Sequence, residues 1–241
     1  MISANVSAQL EQSDVKGAIA KAVHYLNNIP DSTFSSYNQR LLFAYIAKKY
    51  AIAEQPRKNL LKYKNISDED IPVKSFYMRI LKEQAFDTVE LRKYYERAQD
   101  IPRLLIWGIY SDILPLDSAT MNAFINARDV RGIAHASLAL YWAESRLTQE
   151  QKQMLFDLYK AYRSSLIQNV IRAGIVTDSG LEGMVTFLFL HSNNTMPISW
   201  LGKILQHQNV DGGWNFDGQL GQASNPHTTL LALWILSGFD R

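Results

Sequence analysis

The chain has 241 residues, 47% of them hydrophobic and 20% charged, and its 25 Lys and Arg against 23 Asp and Glu leave a net charge of +2. That composition excludes a disordered chain and suits one large domain with a real core, or two small ones. The near balance of charge gives no footing for nucleic acid or an anionic membrane, and the absence of Cys rules out disulfides and thiolate metal sites.

The first residues, Met1 to Asp14, carry no basic stretch followed by a long apolar run. No signal peptide is expected, and the location implied is cytoplasmic. The longest apolar runs, near residues 184–190 and 230–236, fall short of the roughly 20 residues that span a bilayer. No membrane span is expected.

Helical periodicity dominates throughout. Ser13 and Asp14 precede a helix over residues 15–27, with Ile19, Val23 and Leu26 on one face. Asp31-Ser32 or Ser35-Ser36 caps a second, running to about Ile52 and carrying Leu41, Leu42, Tyr45 and Ile46 at helical spacing. Residues 54–72 are irregular, with Pro56, Pro72 and the solvated acidic run Asp68-Glu69-Asp70. The stretch near 54–73 is the one weak candidate for a domain boundary; otherwise 1–241 reads as a single helical domain. Further helices are predicted over 74–84, 87–98 and 101–111, the last with Pro102 in its first turn.

Asp117-Ser118 opens a helix to about Ala127. Residues 132–145 form a helix that is apolar on more than one side, as an inner helix would be. Thr148 and Gln151 have the spacing of a capping box before a long amphipathic helix. Asp178-Ser179-Gly180 opens an apolar helix over 181–191, and another covers 199–207. A glycine-rich turn, Asp211-Gly212-Gly213-Trp214, precedes the last helix, 226–236, with Gly238 as its stop. No β-alternation of useful length occurs. The fold class is all-α, with about ten helices.

The segment Gln208-Asn209-Val210-Asp211-Gly212-Gly213-Trp214, followed by Pro226-His227-Thr228-Thr229-Leu230-Leu231-Ala232-Leu233-Trp234, resembles the last repeat of the α/α-toroid superfamily. That superfamily includes terpenoid cyclases, protein prenyltransferase β-subunits and complement thioester domains. Ile204 fits the repeat's aliphatic position, whereas Lys203 stands where an aromatic residue is usual. The resemblance implies inner and outer helices alternating around a barrel, here of about ten helices and so incomplete or open. It also implies a structural turn of Gln208, Asp211, Gly212, Gly213 and Trp214, with Gln208 satisfying backbone groups at a helix end beside Trp214. The family's aspartate-rich catalytic motifs are absent, and without Cys neither its zinc site nor its thioester can form.

The five histidines show no tight metal-ligand spacing. His135, His191 and His227 fall where helices line one barrel mouth, so a site assembled from distant residues stays open and no cofactor is assigned. Asp178 and Glu182, four apart, share one helical face and can run acid–base chemistry if burial separates their pKa values. The simpler reading makes Asp178 a helix cap and Glu182 an exposed or ion-paired residue. The candidate catalytic set is Asp178 or Glu182 for proton transfer and His135 or His227 as an orienting donor. These residues would act on a small organic, lipid or carbohydrate ligand in a central cleft. The alternative is a non-catalytic scaffold or interaction module with a protein partner, using exposed tyrosines at 63, 77, 94 and 95. Trp107, Trp142, Trp200 and Trp234 are expected in the core.

Overall fold

The computed structural model describes residues 12–34, 37–53, 56, 79, 88–188 and 197–239. Among them are ten α-helices and two short 3-10 helices. The α-helices are α1 (Gln12–Asn28), α2 (Tyr37–Lys49), α3 (Thr88–Arg97), α4 (Asp100–Tyr110) and α5 (Ser118–Asn126), then α6 (Val130–Ala143), α7 (Gln149–Ala173), α8 (Asp178–Thr186), α9 (Ile198–Gln206) and α10 (Pro226–Phe239). The candidate boundary near 54–73 and the acidic run at 68–70 lie outside the described residues apart from Pro56, as does the predicted 74–84 helix apart from Arg79.

The packing follows from which helices have two apolar flanks. α10 is buried almost continuously from Pro226 to Ser237, and α8 from Gly180 to Thr186. Such helices cannot face water and must sit between others. The contacts bear this out in sequence around an arc: α4 packs on α6, α6 on α8, α8 on α10, and α10 on α2. The odd-numbered helices lie outside it. α5 and α3 pack on α4, α7 covers α6 and α8, and α1 covers α10 while touching α9. Their faces alternate accordingly: α7 buries Leu155, Tyr162, Leu166 and Val170 and exposes Met154, Ile167 and Ile171. This is an all-α, toroid-like arrangement of open or incomplete form.

Side chains fix where the helices start. Asp117 accepts from the Thr120 amide at 2.8 Å and Asp129 from the Gly132 amide at 2.6 Å. Thr148 and Gln151 form the capping box expected for α7. α6 begins two residues earlier than the pattern suggests, because Asp129 rather than Gly132 marks its start. Gly238 is not a stop: α10 continues through it to Phe239. Tyr95, expected at an exposed interface, is buried and bonds Pro115 O at 2.8 Å. Tyr94 is half-buried, while residues 63 and 77 lie outside the described residues. Trp107, Trp200 and Trp234 are buried in the core; Trp142 is half-buried against it.

Candidate functional site

The five inner helices line a half-open cavity of about 90 Å³. Each contributes to its wall: Leu42 from α2, Leu105 from α4, Leu138 from α6, Val185 from α8, and Leu231 and Trp234 from α10. The polar groups on it are His135, Glu182 and His227. His135 and His227 come from the N-terminal halves of α6 and α10, and Glu182 from the middle of α8, so the polar end of the cavity lies toward the starts of those helices.

Local capping explains why the acidic side chains are available. The Thr177 hydroxyl accepts from the Gly180 amide at 3.1 Å and thereby caps α8. Asp178 is therefore not the cap. It occupies the first helical position, its amide donating to Phe216 O at 2.9 Å, and its carboxylate turns to α10. There it accepts from the Thr228 hydroxyl at 2.6 Å. His227 Nδ1 donates to the same carboxylate, at 2.9 Å to Oδ1 and 3.1 Å to Oδ2. With Nδ1 carrying that proton, His227 presents Nε2 to Glu182 Oε1, 4.0 Å away. Glu182 is buried, not exposed. Asn225 Oδ1 holds the start of α10 by accepting from the His227 and Thr228 amides at 2.9 and 3.1 Å.

Burial pushes the Glu182 carboxyl up to about 7, and the Asp178 charge adds to that; His227 opposes it. Burial alone would disfavour protonated His227, but the hydrogen bond and charge of Asp178, with the charge of Glu182, hold its pKa above the ordinary value. His135 moves the other way. Burial takes it down to about 4, although its Nδ1–H donates to Arg131 O at 2.8 Å. It is therefore neutral at pH 7, with an Nε2 lone pair for accepting.

Of the four residues singled out in the sequence, Glu182, His135 and His227 line one end of the cavity, and Asp178 is joined to it through His227. Asp178, Glu182 and His227 each offer a ligand atom within 4.8 Å of the others, a spacing that could hold a metal ion. An ion using all three would need Glu182 ionised and a His227 nitrogen without its proton. His191 lies outside the described residues. Thr228 and Asn225, which orient Asp178 and α10, are not evident from spacing alone; their signal is the polar Asn-Pro-His-Thr-Thr run before an otherwise apolar helix.

The glycine-rich turn buttresses the same helix start. Gly212 has φ +92°, and a Cβ there would lie 2.4 Å from Lys21 O on α1. Asp211 accepts from the Gly213 amide at 2.9 Å and from the Ser224 hydroxyl at 2.7 Å. Trp214 donates from its amide to Thr229 Oγ1 at 3.0 Å and from its indole to Ile204 O at 2.8 Å. Gln208 donates to Ala18 O and to Gly212 O, both at 2.9 Å. The helix-end carbonyl is therefore met by Trp214, and Gln208 ties the turn to α1.

Comparison of the chain with protein-family models, with curated proteins and with solved structures gives no match. The class that fold and site define is a toroid-like all-α protein with a polar-ended central cavity. Among the described residues no helix is long and apolar enough to cross a membrane.

Proposed function

We propose that the protein binds a small, mostly apolar organic molecule in the central cavity and transfers a proton to or from its polar group. The observation that carries this reading is Glu182: a buried carboxyl, pushed up to about 7, facing the free nitrogen of His227 inside an apolar-walled cavity. A carboxyl that titrates near neutral pH can both give and take a proton at working pH. Asp178 is a positioning residue, fixing the tautomer and orientation of His227. His135 supplies a neutral acceptor.

The test is a ligand-observed NMR screen of small neutral molecules against the wild type and Ala134→Phe, which fills the cavity from α6. Binders should be lost in Ala134→Phe while its helical circular dichroism is unchanged. Glu182→Gln should retain binding and stop any conversion of the bound molecule. Ligands that bind Ala134→Phe as well as wild type would place the site elsewhere.

A further inference from the structure

The polar end of the cavity restricts the group it can receive, an inference that rests on the cavity being the ligand site. His227 Nε2 and Glu182 Oε1 are 4.0 Å apart, beyond hydrogen-bond reach of each other. One oxygen placed about 2.8 Å from both fits between them with an angle near 90° at that oxygen, so the gap suits a single bridging atom. That atom has to satisfy both neighbours at once. His227, its Nδ1 proton committed to Asp178, offers Nε2–H when protonated. Glu182 offers a carboxyl that accepts when ionised and donates its O–H when protonated. His135, its Nδ1 proton committed to Arg131 O, offers only a lone pair.

Charge removes most candidates. A ligand carboxylate would meet Asp178 and Glu182, and an ammonium would meet the His227 ring within the field of Arg131. An ammonium also has no lone pair with which to accept from Nε2–H. When one proton is shared between His227 Nε2 and the Glu182 carboxyl, one of the two donates and the other accepts; a ketone only accepts, which leaves the accepting partner unanswered. A hydroxyl does both and carries no charge. Apart from His135, the remaining wall is hydrocarbon and indole, which suits a ligand with a single polar group. The volume, about 90 Å³, is smaller than the roughly 150 Å³ cavity that admits benzene, so the enclosed part of the ligand is small.

We propose that the cavity takes a neutral aliphatic alcohol, its hydroxyl bridging His227 Nε2 and Glu182 Oε1 and its hydrocarbon part resting on Leu138, Val185, Leu231 and Trp234.

The experiment titrates the full chain with five matched probes: 1-butanol, butylammonium, butyrate, butanone and pentane. Affinity is read by ligand-observed NMR, and the contact by the side-chain ¹⁵N shifts of His227 and His135. The alcohol should bind about 10-fold or more tighter than each of the others, the size of one hydrogen bond to a charged group left unmade, and should move the His227 ring nitrogens. His227→Phe should abolish that preference, so that 1-butanol binds no tighter than pentane in the variant. Equal binding of 1-butanol and pentane, or tighter binding of the ammonium, the carboxylate or the ketone, overturns the alcohol assignment while leaving a ligand cavity in place. No binding of any probe, or binding indifferent to Ala134→Phe, overturns the cavity reading with it.

Discussion

His227 is joined to Asp178 at 2.9 Å through one ring nitrogen, and its other nitrogen stands 4.0 Å from Glu182 without bonding it. The pair with Asp178 is closed and the pair with Glu182 is open, so a proton or a ligand atom can enter only on the Glu182 side. The two residues titrate as neighbours, and measured midpoints will belong partly to the pair.

Glu182 should make the protein less stable as pH rises. Its folded pKa, about 7, lies above the ordinary 4.5, so the folded state holds a proton that the unfolded state has lost. That stabilisation is full below about 4.5 and disappears as pH climbs to about 7. It amounts to on the order of 3 kcal/mol, at about 1.4 kcal/mol for each tenfold change in proton affinity. His135, lowered to about 4, works in the opposite direction between there and 6.5, so the wild-type curve alone mixes the two. Urea unfolding of wild type and Glu182→Gln from pH 4 to 8 separates them. The difference in unfolding free energy should shrink in wild type's disfavour through that window; a flat difference would mean that Glu182 ionises normally.

Asp178→Asn should lower the pKa of His227. The carboxylate raises it by hydrogen bond and by charge, against burial. With the charge gone, burial prevails and the midpoint should fall below the ordinary value of about 6.5. The change should also cost about 2 kcal/mol, because Thr228 and His227 lose a charged acceptor. An NMR titration of the ring protons reads the midpoint, and a value that stays above 6.5 would assign the elevation to Glu182 instead.

The sequence made the site residues visible through chemistry, and hid their arrangement for an identifiable reason. Asp178 and Glu182 share a helical face, and His227 opens an apolar helix; each is odd in its local setting. What no local pattern reveals is that Thr177 does the capping. Once Asp178 is taken as the cap, Glu182 becomes an ordinary exposed acid, and the contact across 49 positions to His227 is lost from view. The fold was legible where periodicity was strong, as in α7 with its capping box. Helix ends were less so: Gly238 lies inside α10, where the Leu188 side chain packs close to it, and a glycine there reads equally well as a terminator. Tyr95 reads as an interface tyrosine in the sequence because its burial beside Arg103 is a tertiary fact.

Arg103 should be one of the costliest surface-type residues to remove, because it is not on the surface. Its guanidinium donates to Tyr95 O at 2.8 Å, Ala98 O at 3.2 Å, Thr120 Oγ1 at 3.0 Å and Asp117 Oδ2 at 2.5 Å. Burial works to raise the Asp117 pKa, but its hydrogen bonds with Thr120 and the presence of Arg103 hold it below the ordinary value. Arg103→Met keeps the length and deletes every donor. A loss of about 3 kcal/mol in urea unfolding is expected, since three oxygens and a carboxylate are left without their cation. A loss under about 1 kcal/mol would show that water replaces the guanidinium freely.

Gly212→Ala tests whether the glycine-rich turn supports the site. The residue has φ +92°, and the new Cβ would lie 2.4 Å from Lys21 O, a backbone atom that cannot swing aside. Gly221, at φ +78°, has nothing near its own Cβ position and serves as the control for conformational strain alone. Gly221→Ala should cost about 1–2 kcal/mol, and Gly212→Ala clearly more, on the order of 3 kcal/mol. The larger effect should be accompanied by a change at the site. Moving Gly212 displaces Trp214, which bonds Thr229, one residue beyond the Thr228 that holds Asp178. The His227 ring shifts should therefore move in Gly212→Ala and stay in place in Gly221→Ala. If both variants lose stability equally and neither moves His227, the turn is a local closure that contributes nothing to the alignment of α10 with α8.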